Sequence, residues 1–176
     1  MIDLERYVKK ACARGITRAK IIDTKTVVTG NWVRMKCQFG CSGFGKCLTC
    51  PPYSPTPEYT RKMLREYQCG LLLQIENIEA KREPRISREL KEIVAALERE
   101  IFLEGCYKVF GMVSGPCGFC QTCNTEKPCK YPELARPAME ACGIDVYKTA
   151  RNNGFKLEVV CSEEKCCSLI SLILIE

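Results

Sequence analysis

Fifteen cysteines and no histidine set the chemistry open to this 176-residue chain. Eight of the cysteines fall in two short stretches with ligand spacing. The first is Cys37-x3-Cys41-x5-Cys47-x2-Cys50, followed by Pro51-Pro52. The second is Cys117-x2-Cys120-x2-Cys123-x5-Cys129, with Pro132 three residues further on. A Cys-x2-Cys-x2-Cys run lets successive thiolates reach adjacent irons of a cubane without straining the backbone. A more distant fourth Cys with a proline after it completes the bacterial ferredoxin pattern. Here the last gap is five residues where that pattern has three. Zinc is the alternative, although zinc sites more often use two Cys-x2-Cys knuckles separated by a longer spacer. The four thiols of the first stretch form a full ligand set for one [4Fe–4S] cluster or one four-thiolate zinc. Gly40, Gly43 and Gly45 in that stretch, and Gly115 and Gly118 in the second, allow the tight wrapping either centre needs.

The missing histidine excludes a Ser-His-Asp or Cys-His catalytic set, a mixed Cys/His zinc finger and a His-ligated haem. An odd cysteine count leaves at least one thiol unpaired in any all-disulfide scheme. The N-terminus carries no apolar leader. The longest near-apolar run, residues 169–175, is far shorter than the about 20 residues a membrane span takes. A soluble cytoplasmic protein with reduced thiols is the expectation.

The elements that must position these loops follow from periodicity and punctuation. Residues 3–14 read as a helix capped by Asp3, with Leu4, Tyr7, Val8, Ala11 and Cys12 on one apolar face. Residues 16–23 and 26–36 read as strands, in a possible hairpin. Thr56-Pro57-Glu58 starts a helix running to about Gln68. Residues 70–75 are a buried strand, Ser87 opens a long helix ending at Gly105, and residues 107–113 are strand-like. A short helix over 133–142, a second capped by Asp145, and strands at 157–160 and 169–175 complete the pattern. The fold class is α/β or α+β: a single domain over residues 1–176, with a mixed β-sheet covered by helices. The Cys-rich loops span 37–55 and 114–132, each following a strand-like segment.

The other seven cysteines divide. Cys12, Cys69, Cys106 and Cys142 read as packing residues, although Cys69 is also a reserve ligand for the first loop. Cys161, Cys166 and Cys167 lie in a polar stretch, as a redox dithiol, as reserve ligands, or as an ordinary loop. The net charge of +6 is confined to residues 1–36, which hold nine basic and three acidic side chains. That segment is either a docking face for an acidic partner or nucleic acid, or a solvated surface.

At the two cysteine loops the sequence resembles the cysteine-rich "predicted metal-binding protein" family of archaea and anaerobic bacteria, DUF2284. The stretches that carry the resemblance are Cys37-Gln-Phe-Gly-Cys41, Cys50-Pro-Pro-Tyr-Ser-Pro-Thr-Pro-Glu58 and Cys117-Gly-Phe-Cys120. A further stretch runs from Pro128-Cys129-Lys-Tyr-Pro132 through Arg136-Pro-Ala-Met-Glu140 to Asp145-Val. The resemblance implies metal or cluster binding at Cys37, Cys41, Cys50, Cys117, Cys120, Cys123 and Cys129, with Cys47 less typical of the pattern. Within the matched stretch, Arg136 is either a group tuning a cluster or an ordinary salt-bridging residue.

The expected function is an iron–sulfur protein with two [4Fe–4S] clusters, passing electrons to or from a redox partner protein in anaerobic metabolism. The alternatives are a zinc-binding interaction module and an iron–sulfur enzyme with an open cluster corner. Whether the chain is an enzyme stays open. No membrane is implicated, and nucleic acid only through the basic first 36 residues.

Overall fold

The computed structural model describes residues 2–160 and 166–176. Helix α1 (Leu4–Ala13) is followed by strand β1 (Arg18–Asp23), helix α2 (Asn31–Gly40) and helix α3 (Pro57–Leu64). Then come β2 (Cys69–Ile78), the long helix α4 (Glu83–Leu103), β3 (Val109–Met112), α5 (Val146–Asn152) and β4 (Cys167–Ile175). The strands form one sheet in the order β1-β2-β4-β3. All three pairings are antiparallel, so the expected mixed character reduces to one parallel bridge outside the strands, Val113 to Ala138. The α+β alternative is the one observed.

Helices cover both faces of the sheet. Side chains alternate along a strand, so Leu71 and Leu73 of β2 meet Tyr7 and Ala11 of α1 and Leu90, Val94, Leu97 and Ile101 of α4. Leu72, Leu172 and Leu174 face the opposite way, against Leu64 of α3, Val146 and Ala150 of α5, and Met139 and Ile144. This two-sided burial explains why β2 and β4 read as continuous apolar runs.

Several segments differ from what their local signals suggest. Residues 31–40 are helix rather than strand. The β-branched run Val27-Val28-Thr29 is extended and bridges Ile144 through Thr29, but its signal stops at Gly30, the N-cap of α2. There is no hairpin, because β1 pairs with β2. Residues 133–142 form only a 3₁₀ turn, Glu140–Cys142. Pro137 lacks an N–H and holds the residue before it away from helix, and its carbonyl accepts from Val113 N at 2.9 Å. Residues 157–160 are not a strand, although Leu157 still packs on the second apolar layer.

The remaining cysteines sort by packing. Cys12 is exposed rather than on the buried face of α1. Cys106 and Cys142 are buried. Cys69 opens β2 and donates its thiol hydrogen to Ile175 O at 3.6 Å, so it lies outside the first loop. Cys167 belongs to β4 rather than to a loop, and Cys166 is exposed. Cys161 falls outside the described residues. All fourteen described cysteines are free thiols. Among the described residues no helix is long and apolar enough to cross a membrane.

Candidate metal centre

The first thiol group is built where α2, the loop after it and the 140–142 turn meet. Cys37 projects from α2, so this loop follows a helix and not a strand. The Cys37 thiol donates to Glu140 O at 3.9 Å. Cys41 stands just beyond the end of α2, and Gly43 N donates to its sulfur at 3.4 Å. Cys50 is buried, at 7% exposure. The chain reaches it through tight turns, with Gly45 N donating to Pro51 O at 2.8 Å and Cys50 N to Cys47 O at 2.9 Å.

One side chain fastens these parts together. Arg34, on α2, donates from one guanidinium nitrogen to Ser54 Oγ at 3.1 Å, Pro55 O at 2.9 Å and Ala141 O at 2.9 Å. Ser54 Oγ–H also donates to Ala141 O, at 2.7 Å. Gly143 closes the turn with φ +78°, and a Cβ there would stand 2.5 Å from Pro57 of α3. That close approach needs glycine for both conformation and space.

Cys37, Cys41 and Cys50 line one cavity of about 580 Å³. Glu140 lines it too. This residue keeps some exposure to the cavity, while its carboxyl atom Oε2 is enclosed and has no hydrogen-bond partner. Burial pushes the Glu140 carboxyl up. Burial, and then the neighbouring Cys47 charge, pushes the Cys50 thiol up to about 12. Burial, and then the Cys41 and Glu140 charges, raises Cys37 as well. Buried thiols of this kind hold their protons until a cation replaces them.

The second group is the 117–129 loop, which follows β3. Cys117, Cys120, Cys123 and Cys129 line a single cleft, and Cys47 lines it with them. Cys47 therefore stands between the two groups, lining the cleft of the second while remaining beside Cys50 of the first. Burial raises its thiol first, the nearby Cys123 charge next, and a hydrogen bond with the Cys50 thiol offsets part of that rise. Tyr131 N donates to the Cys129 sulfur at 3.4 Å. Phe119, buried at 8% exposure, anchors the loop beneath Arg88 of α4, whose guanidinium carbon stands 5.3 Å from the ring centre.

The two loops touch: a Cβ on Gly43 would stand 3.6 Å from Cys41 Sγ and 3.9 Å from Pro116 Cβ. Behind both lies Lys91 of α4, 4% exposed and donating to Ser87 Oγ at 2.6 Å. Burial lowers its pKa, and the charges of Glu83, Cys117 and Cys50 oppose that fall. Arg34, Lys91 and the distinct place of Cys47 are not readable from the sequence, because no spacing rule links them to the thiols. Arg136 is a salt-bridging residue. It contacts Glu98 of α4 at 2.6 and 3.0 Å.

The residues present fit a thiolate-bound centre. Soft sulfur donors are gathered in two groups, each with a backbone N–H aimed at a sulfur, and one enclosed carboxyl oxygen stands unpartnered beside the smaller group. The family model described as predicted metal-binding protein (DUF2284) matches residues 20–175. The chain belongs to that family. The match spans both thiol groups, α2 with Arg34, and the 140–145 turn. None of the curated proteins and none of the solved structures matches this chain. Among the described residues, no three Cys, Asp or Glu side chains converge tightly enough to hold a single metal ion.

Proposed function

We propose that this chain carries two [4Fe–4S] clusters and passes electrons to or from a partner enzyme in anaerobic metabolism. The observation that carries the proposal is the contact between the two thiol groups. Cys47 lines the cleft of the second group, and the Cys47 and Cys50 thiols act on each other's titration, which joins that group to the first. Two clusters seated there would be near neighbours, which suits passage of an electron from one to the other. When bound, such clusters accept and release one electron each.

The chain's own residues would hold and tune them. Cys117, Cys120, Cys123 and Cys129 supply four thiolates for the second centre, and Cys37, Cys41 and Cys50 supply three for the first. Gly43 N and Tyr131 N donate to ligand sulfurs. Lys91 adds a cation between the groups and offsets their negative charge. The Cys117-x2-Cys120-x2-Cys123 run suits a cluster better than zinc, which more often takes two Cys-x2-Cys knuckles with a longer spacer. Free thiols at every described cysteine suit a reducing compartment such as the cytoplasm.

Redox titration of protein prepared without oxygen tests this reading. Two one-electron steps, with a reduced-state EPR spectrum split by coupling between neighbouring spins, are expected. A colourless protein that takes up no electrons from dithionite would overturn it.

A further inference from the structure

Three thiols leave the first centre one ligand short. A cubane whose four irons are all protein-bound needs four protein ligands. Cys47 does not line this cavity and lines the cleft of the second group instead. Cys142 is close in sequence to Glu140, but it is 0% exposed, packs in the second apolar layer with Met139 and Ile144, and does not line the cavity. Asp145 is engaged as the N-cap of α5, accepting from Lys148 N at 2.9 Å.

Glu140 differs from each of these. It lines the same cavity as Cys37, Cys41 and Cys50, and its backbone carbonyl accepts from the Cys37 thiol. Its Oε2 is enclosed with no partner. A buried carboxyl oxygen left in that state is destabilising. Such an orphan signals a missing partner, an ion among them.

The cavity has its own character. Its volume, about 580 Å³, is that of a small-molecule site. Its walls include Trp32, Phe44, Ile144 and Tyr147, and exposed Lys36 and Arg151 also line it. Neither cation has an ion pair among the described residues; Lys36 stands 5.7 Å from the centre of the Trp32 ring.

We infer that Glu140 is the fourth ligand of the Cys37–Cys41–Cys50 centre, and that the cavity against it binds a small organic anion with an apolar body. The inference rests on the cluster reading above. It makes the first centre the one that meets a small molecule, and the second the electron relay.

The full chain, reconstituted with iron and sulfide without oxygen, tests both parts. Glu140→Gln is expected to lose one iron from one cluster, so that a three-iron EPR signal appears in the oxidised protein. Glu140→Cys is expected to keep both four-iron clusters while one midpoint potential falls and the other stays. Cys142→Ala is expected to match the wild type. Unchanged clusters and potentials in Glu140→Gln, or iron loss in Cys142→Ala, would overturn the ligand assignment. A wild-type protein holding zinc and no iron would instead overturn the cluster reading beneath it. For the cavity, sodium hexanoate is the probe, and the fluorescence of Trp32, the chain's single tryptophan, is the readout. A saturable change is expected, weakened about tenfold in Lys36→Gln/Arg151→Gln with iron content unchanged. No saturable change, or equal binding of hexanol, would overturn the anion site.

Discussion

Arg34 donates to Ala141 O at 2.9 Å, across 107 residues of sequence. Through this bond and its contacts with Ser54 and Pro55, the helix carrying Cys37 is held to the segment after Cys50 and to the turn carrying Glu140. Each bond from a charged donor is worth about 1.5–3 kcal/mol. Arg34→Met leaves Ala141 O with only its Ser54 partner and frees α2 to move. The expected outcome is loss of about half the iron with the second cluster's EPR signal retained. Iron analysis beside EPR checks it.

Lys91 lies behind both thiol groups at 4% exposure. A cation favours the reduced, more negative state of a nearby cluster. Lys91→Met removes that charge while keeping most of the side-chain volume. Both midpoint potentials are expected to fall, with iron content and thermal unfolding little changed. Potentiometric titration of the variant is the check.

The Arg136–Glu98 pair ties the exit of the second cysteine loop to α4, with side chains only 16% and 12% exposed. Glu98 Oε2 also accepts from Gly111 N at 2.9 Å, and a Cβ on Gly111 would stand 2.6 Å from that oxygen, so α4 and β3 lie unusually close here. Arg136→Met leaves a largely buried carboxylate without its cation. Destabilisation of about 2–3 kcal/mol is expected, measured by urea unfolding. The double variant Arg136→Met/Glu98→Gln should recover part of it.

Cys47 adds a fifth thiol to a cleft where the other four already make a full ligand set. Cys47→Ser is therefore expected to keep the full iron content, whereas Cys120→Ser loses iron from the second cluster. A modest change confined to the second cluster's EPR lineshape should accompany Cys47→Ser. Loss of the first cluster in that variant would return Cys47 to the ligand set its sequence spacing suggests.

Much of the fold was legible where one signal stood alone. Thr56-Pro57-Glu58 marked the start of α3, Asp145 capped α5, and the periodic apolar face of α4 was plain, although the helix begins four residues before Ser87. The errors came where local propensity met tertiary demand. Val27 and Val28 suggest a strand over 26–36, where only Thr29 makes a bridge and α2 begins at Asn31, and the apolar residues of 133–142 suggest a helix that Pro137 breaks. At the site, Cys37, Cys41 and Cys50 share one cavity and Cys117, Cys120, Cys123 and Cys129 one cleft, groupings that the spacing expresses because each set is local in sequence. The partition of Cys47, the staple made by Arg34, the buried Lys91 and the orphaned Glu140 oxygen arise from contacts between distant segments. No periodicity encodes them.

Iron and acid-labile sulfide analysis of the wild-type protein, purified without oxygen, tests the central claim most directly. Two four-iron clusters predict about eight irons and eight sulfides per chain, in a brown protein that dithionite bleaches. A colourless protein with stoichiometric zinc and no sulfide would contradict it.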